Sequence, residues 1–571
     1  MKKLIDDPIA VVDDMIAGLV SSDRRLASIK DHKVVFRRDY AELNKAGKVA
    51  VISGGGAGHE PAHAGYVGMG MLTAAVIGPV FTSPSVDAVL AAIRLVSAEA
   101  GVLLVVKNYT GDRFNFGLAA EIARAEGIAV EIVVVGDDVA LNDDGGRVGR
   151  RGIAGTIFVH KIAGAAAEAG LALAEVKAEA EAASSDVFSM GLGLTSCIVP
   201  AAGKPGFTLG DDEVEYGLGI HGENGVRRDR IRPAGEMIAG LLDRIVDQAG
   251  LMRGDRVALM VNNLGGSAAL ELDIVAKHAL DGLAAREIVV ATAHIGTFLT
   301  ALEMAGCSLS LFRVDDGKLA RLLAPTDALA WKAPSIPASP LFVSAPADPV
   351  AEARPKGATW PSPAQRLRFA ACIRAVAGTL REHEEELTRL DSVVGDGDIG
   401  ISLARGALAV EDAMATLDLD HPAAALYQIS ALLRRVLGGS SGPLYAVFVL
   451  RAAASLAEAE DISTVASWAA SLRAGCDGMI ALGKGQEGDR TMLDALLPAA
   501  NALEASSAET PEQAAYATSN AGARGAQDTK DMLPKLGRSS YIGERVLGHL
   551  DPGAFAVALW LKAISTTLSL R

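Results

Sequence analysis

From residue 47 onward, short apolar runs alternate with longer stretches of helical periodicity. Lys48 to Ser53 (KVAVIS), Val102 to Val106 (VLLVV), Val130 to Val135 (VEIVVV) and Val257 to Val261 (VALMV) are too short and too β-branched for buried helices. They predict buried strands. Between them, Ala-rich segments such as Ser85 to Ala98 and Asn115 to Glu126 repeat apolar residues at helical spacing. Strands alternating with helices predict an α/β domain with a largely parallel sheet, whose ligands sit at the carboxyl ends of the strands.

The pattern changes between about Lys332 and Gln365, where prolines crowd and apolar periodicity fades. That stretch reads as a partly extended linker. Beyond it the periodicity is helical throughout: Ala364 to Leu390, Ser402 to Thr416, Pro422 to Leu437 and Gly442 to Ala459, with no β alternation. The expected organisation is an α/β domain over 1–333, a Pro-rich linker over 334–365 and an all-α domain over 366–571.

Length supports this division, since 571 residues exceed what one core normally organises. Half the residues are hydrophobic and 22% are charged, which is a globular balance. A net charge of −15 argues against a general affinity for nucleic acid or anionic membrane. Four widely separated cysteines (Cys197, Cys307, Cys372, Cys476) offer neither a disulfide framework nor a zinc spacing. The opening MKKLIDDPIAVVDDM has acidic residues where a signal peptide needs an apolar core, and no apolar run is long enough to span a bilayer. A cytoplasmic location is expected.

Four segments of the first domain concentrate chemistry. SGGGAGHEPAHAGYVG (Ser53 to Gly68) follows the first predicted strand, and its glycines let backbone amides approach a ligand. His59 and His63 lie within it, either as acid–base or hydrogen-bonding groups or as residues capping a turn. FTSPS puts Ser83 before a helix, where Ser-Pro also serves as an N-terminal cap. In VKNYTGDRFNFG, Lys107 and Asp112 flank a turn; they can polarise a carbonyl and take a hydroxyl proton, or form a plain salt bridge. GLGIHGENG sets His221 between glycines.

In the second domain, LDSVVGDGDIGISLARG holds Asp391, Asp396 and Asp398 within eight residues. Such carboxylates repel one another without a cation, and hard oxygen donors suit Mg2+. LGGSSGPLY, GDRTMLDAL and GRSSYIGERVLGHLDPGA supply polar loops between helices, and the first opens a helix whose amides can take phosphate without any Walker motif.

Together these segments resemble the dihydroxyacetone kinase family over essentially the whole chain. The resemblance implies an α/β substrate domain followed by an antiparallel eight-helix barrel, and transfer of the γ-phosphate of ATP to a terminal hydroxyl of dihydroxyacetone. It implies that His221 binds the substrate carbonyl carbon covalently as a hemiaminal, a capture open to ketones and aldehydes but not to glycerol. His59 would hydrogen-bond the substrate alongside Gly56, Ala57 and Gly58; Lys107 and Asp112 would hold its hydroxyls, Asp112 as base, with Ser83 nearby. Asp391, Asp396 and Asp398 would hold two Mg2+ ions. ATP would meet Gly400, Ile401, Ser402, Leu403, Ser440, Ser441, Thr491, Met492, Arg538, Asp551, Pro552 and Gly553. A domain-swapped homodimer follows by the same analogy. Ile399 stands where relatives often carry a smaller or polar residue. Relatives also act on erythrulose or glyceraldehyde, and some split FAD to a cyclic flavin phosphate. A non-catalytic ketose sensor is the reading from another class, against which the intact carboxylate trio argues.

Overall fold

The computed structural model describes residues 2–141, 149–223, 225–344 and 356–570, apart from the side chain of Arg538. The chain divides into two units, Met1–Phe342 and Val343–Arg571.

The first unit holds two six-stranded sheets. One comprises β1 (Leu26–Ser28), β2 (Val34–Arg37), β3 (Ala50–Ala57), β4 (Ala74–Val80), β5 (Val102–Lys107) and β6 (Val130–Val135), in the order β1-β2-β4-β3-β5-β6. The other comprises β7 (Val187–Gly193), β8 (Glu213–Tyr216), β9 (Arg227–Arg230), β10 (Arg256–Asn263), β11 (Val289–Gly296) and β12 (Gly306–Arg313), in the order β11-β10-β12-β7-β8-β9. In the first sheet β4, β3, β5 and β6 run parallel, with β1 and β2 as an antiparallel edge that the apolar pattern does not announce. The second sheet corrects the expectation of largely parallel sheets: only β10 and β11 pair in parallel. A strand covered on both faces reads as one apolar run whichever way its neighbour points, so VALMV does not disclose direction.

Alternate residues of the central strands feed opposite cores. Ala50, Ile52, Val102 and Leu104 pack with Val89, Ile93 and Phe116 of helices Val86–Val96 and Thr110–Ala125. Val49, Val51, Leu103 and Val105 pack instead with Ile157, Phe158 and Ile162 of helix Thr156–Glu168. Ala258 and Met260 of the second sheet join the same cluster. Helix Thr156–Glu168 is therefore buried almost all round, which explains its lack of a polar face.

Strand β3 runs further than predicted, through Gly54 and Gly56 to Ala57. Glycine is required there by close packing: a Cβ on Gly54 would lie 2.2 Å from the Val76 carbonyl oxygen. The glycine segment is thus mostly strand, and its loop begins at Gly58.

The second unit contains nine α-helices and no strand among the described residues. The predicted helix 364–390 is two, Pro363–Glu382 and Glu384–Val394, meeting at His383. Pro363–Glu382, Ile399–Ala413, Pro422–Val436, Ser441–Ala457, Val465–Gly483, Leu493–Ala505, Pro511–Asp528 and Pro552–Ser569 each pack on their neighbour in this order, and the last packs on the first. An apolar cavity of about 490 Å3 lies among them, lined by residues including Trp360, Phe369, Leu403, Phe448 and Trp560. None of the described helices is long and apolar enough to cross a membrane.

Candidate functional site

The carboxyl ends of β3 and β5 bring the first group of residues together. Just after β3, His59 is fully buried, with Nδ1 2.8 Å from the Thr300 carbonyl oxygen. A carbonyl only accepts, so Nδ1 carries the hydrogen and Nε2 keeps a lone pair. Burial, reinforced by the charges of Lys107 and His221, holds the His59 pKa well below the usual imidazole value. Phe81 stacks on this ring at 5.1 Å from a backbone of φ 59°, against Gly58, whose φ is 94°. A Cβ on Gly58 would meet the Phe81 ring at 2.8 Å.

His221 comes from the loop after β8 and closes over this pair. Its ring centroid lies 4.9 Å from His59, 5.4 Å from Phe81 and 4.7 Å from Tyr109. Its Nδ1 is 3.0 Å from Glu223 Oε1, and its backbone N–H donates to Glu223 Oε2, also at 3.0 Å. Burial pushes the Glu223 carboxyl up, but the hydrogen bond and charge of His221 outweigh it and the pKa falls to about 2.

Lys107 ends β5 with no exposed surface, and its Nζ makes no hydrogen bond in the structure. Burial lowers its pKa, while the carboxylates of Asp112 and Asp137 oppose that shift. Asp112 does not lie in a turn as the sequence suggests. Helix Thr110–Ala125 starts five residues before the predicted boundary and carries Asp112, buried, in its first turn. The predicted cap also moves: Ser85, not Ser83, accepts from the Ala88 N–H. Ser83 instead lies against the start of helix Thr110–Ala125, where its Cβ would be 3.2 Å from a Cβ on Gly111.

Five buried polar atoms of this region lack a hydrogen-bond partner: His59 Nε2, His63 Nε2, Ser83 Oγ, Lys107 Nζ and the Tyr109 hydroxyl. Buried polar atoms are normally satisfied, so a group of orphans beside an imidazole pair marks a place for a polar ligand. His63 is set behind the others, its Nδ1 2.9 Å from His160 Nε2. A neutral acceptor (His59), an ammonium (Lys107), a carboxylate (Asp112) and an imidazole with one nitrogen tied back (His221) can together hold a small hydroxylated carbonyl compound.

The second group lies in the helical unit. Oxygens of Asp391, Asp396 and Asp398 fall within 4.8 Å of one another, a spacing a divalent cation can bridge. Asp391, buried near the end of helix Glu384–Val394, accepts the N–H groups of Asp398 and Ile399 through Oδ2, at 2.9 and 3.2 Å. This folds the loop back so that Asp398 occupies the N-terminal position of helix Ile399–Ala413 without a side-chain capping bond. The Gly439–Ser440 turn at the start of helix Ser441–Ala457 approaches it, a Cβ on Gly439 falling 3.9 Å from Asp398 Oδ2. Asp551 caps helix Pro552–Ser569 by accepting the Ala554 N–H at 2.8 Å. Burial raises its pKa to about 6. Gly553 brings that helix start to Met492, and Asp494 orders the same loop by accepting the Gly488 and Thr491 N–H groups.

Further predicted residues follow in helix Ile399–Ala413. Ser402 and Leu403 are buried in the helical unit, and the Ser402 N–H is committed to the Asp398 carbonyl. Gly400 is pressed against Glu384 and Thr388, and Ile401 is exposed. The Arg538 side chain lies outside the described residues. Three neighbours escaped the sequence reading: Tyr109, Glu223 and Arg490. Glu223 stands two residues from His221, a spacing that signals a local imidazole–carboxylate pair. Arg490 is fully buried, its Nη1 paired with Asp551 at 4.0 Å, and neither Nε nor Nη1 makes a hydrogen bond. Nothing in its local sequence separates it from an exposed loop arginine.

Comparison with known proteins agrees with this division. Residues 17–330 match the Dak1 domain and residues 393–566 the DAK2 domain. Human triokinase/FMN cyclase is 43% identical over 581 residues, covering 99% of each chain. The crystal structure of dihydroxyacetone kinase from Citrobacter freundii in complex with AMP-PNP and Mg2+ matches with a TM-score of 0.65 and 36% identity, over 99% of both chains. A dihydroxyacetone kinase operon co-activator matches 56% of this chain and 98% of its own, with a TM-score of 0.54 and 34% identity. With both domains joined in one polypeptide, the chain belongs to the dihydroxyacetone kinase family.

Proposed function

We propose that this protein phosphorylates dihydroxyacetone or a closely related C3–C4 carbonyl sugar at the expense of ATP. The observation that carries the reading is the set of unpartnered buried polar atoms around His221, in a chain that also holds the carboxylate trio. His221 captures the carbonyl carbon through Nε2, and His59 Nε2 accepts a hydrogen bond from a substrate hydroxyl. Lys107 donates to the substrate oxygens. Asp112 takes the proton of the terminal hydroxyl as its oxygen bonds to the γ-phosphorus and ADP leaves.

Asp391, Asp396 and Asp398 fit Mg2+, two ions in this reading, which would neutralise phosphate charge when bound. The amides at the starts of the helices after Asp398, Gly439 and Asp551 would receive the nucleotide, with Ser440, Ser441, Thr491 and Met492. The closed neighbour order of eight helices supports an eight-helix barrel with the nucleotide at one end. A domain-swapped homodimer belongs to the same reading, and a fully active strict monomer would remove it.

The alternative is a ketose sensor, favoured by the co-activator's likeness to 56% of this chain. That likeness leaves the carboxylate trio without a purpose. Coupled ATP turnover with dihydroxyacetone, erythrulose, glyceraldehyde and glycerol separates the readings. Turnover with carbonyl sugars, none with glycerol and collapse in His221→Ala are expected. Equal use of glycerol or an unaffected variant refutes carbonyl capture, and an absence of turnover favours the sensor. FAD belongs in the same panel, given the cyclase activity in the human relative's name.

A further inference from the structure

We infer that Glu223 is a positioning residue that fixes the tautomer of His221 and thereby makes Nε2 the nucleophile. The inference rests on the proposed carbonyl capture and adds to it the group that renders the imidazole competent.

The geometry is specific. One carboxylate meets His221 twice, through the ring nitrogen Nδ1 at Oε1 and through the backbone N–H at Oε2, both at 3.0 Å. An ionised carboxylate is acceptor-only, so the ring nitrogen facing it must carry the hydrogen. The lone pair then resides on Nε2, and the ring is held in place by a group bonded to its own backbone. The chain makes room for this carboxylate: a Cβ on Gly219 would sit 1.9 Å from Glu223 Oε2. Glycine at 219 is therefore tied to the presence of the acid. The titratable groups facing His221 and Glu223 from the surrounding elements are His59, Lys107, Tyr109, Asp138, Arg151 and Cys197. Arg151 is bonded to Asp138 at 2.6 Å and to the Gly217 carbonyl at 2.8 Å, and makes no ion pair with Glu223 among the described residues, although its charge acts on that carboxylate.

The capture step balances. The Nε2 lone pair forms the N–C bond and the carbonyl π pair moves onto oxygen. That oxygen gains one proton while Nδ1 gives one up, relayed through the Glu223 carboxylate and water. The adduct is neutral and no atom leaves. Positive charge develops on the ring as the bond forms, and Glu223 lies against it.

Glu223→Gln is the diagnostic substitution because size and burial are kept. The backbone N–H of His221 is a fixed donor, so the Gln carbonyl oxygen pairs with it and the Gln NH2 turns toward Nδ1. The hydrogen is then forced onto Nε2 and the nucleophilic pair is lost. A comparable carboxylate-to-amide change beside a catalytic histidine lowers turnover by about 10^4; the expected loss of kcat/KM here is at least about 100-fold, the upper end of what losing the carboxylate partner of a metal-bound histidine costs.

The test uses the full chain and dihydroxyacetone labelled with 13C at its carbonyl, followed by NMR across pH. Wild type is expected to convert the ketone signal to a tetrahedral carbon, His221→Ala not at all, and Glu223→Gln weakly, with its residual capture shifted along the pH axis. Glu223→Asp, which retains the acceptor pair, should recover part of the capture. Gly219→Ala, which displaces the carboxylate without changing its charge, should lose it. Capture by Glu223→Gln equal to wild type at every pH overturns the inference while leaving carbonyl capture standing. Absence of the tetrahedral signal in wild type overturns the capture itself. Near-UV circular dichroism and thermal unfolding of the full chain check that the first unit, which carries every substitution, is folded in each variant.

Discussion

The carboxylate trio makes a prediction whose sign reverses with metal. Asp398→Asn removes one charge from a group whose oxygens lie within 4.8 Å. Each pair at that distance costs about 0.9 kcal/mol in a water-like dielectric, so losing two pairs relieves roughly 1.7 kcal/mol. Against this stands the favourable effect of an acid at a helix start, about 0.3–1 kcal/mol. Asp398 makes no side-chain capping bond to helix Ile399–Ala413, and Asn caps as well as Asp, so no hydrogen bond is lost. Without metal and at low salt, the variant should therefore be about 1 kcal/mol more stable than wild type, a gain that salt reduces. With Mg2+ at 100 times its dissociation constant, wild type gains about 2.7 kcal/mol by linkage and a variant short of one ligand gains less, so the order inverts. Denaturant unfolding of the full chain in EDTA and in Mg2+ measures both. Trp360, Trp468 and Trp560 all lie in the helical unit, against Trp331 alone in the first, so tryptophan fluorescence follows the relevant transition. A variant less stable than wild type in EDTA, or one that gains as much from Mg2+, would refute the charge argument.

Two further predictions concern the first unit. Gly54→Ala places a methyl 2.2 Å from the Val76 carbonyl and should cost about 1–3 kcal/mol or more, whereas Gly117→Ala, in a helix with open space at the site, should gain about 0.5–1 kcal/mol; thermal unfolding ranks the two, and equal effects would contradict the packing described for β3. His294 is buried against Phe158, Phe298 and Trp331, and burial lowers its pKa to about 4. The unfolded chain thus binds a proton that the folded one does not, and stability from this group falls by up to about 1.4 kcal/mol per unit as pH drops from about 6.5 toward 4. His294→Phe should flatten that acid limb in denaturant titrations, and an unchanged slope would show that the group titrates alike in both states.

How much of this was legible beforehand depends on the range of the interactions involved. The central strands, the helical second half and the carboxylate trio are local features, because short apolar runs, helical periodicity and clustered charge need no partner to be recognised. The family resemblance likewise rests on contiguous motifs such as GIHGE and GDGD. Strand direction in the second sheet was hidden, since residues buried on both faces look alike in either pairing. The extension of β3 into glycines was hidden because Val76 and Phe81, which exclude a side chain there, are remote in sequence. Only the tertiary structure buried Ser402 and Leu403, gave the cap to Ser85, buried Arg490 beside Asp551 and left a set of polar atoms unpartnered around His221. The sequence by itself determined which chemical groups the chain has and on which local elements they ride; burial and the pairing of distant residues decided which of them are neutral, oriented and facing one another.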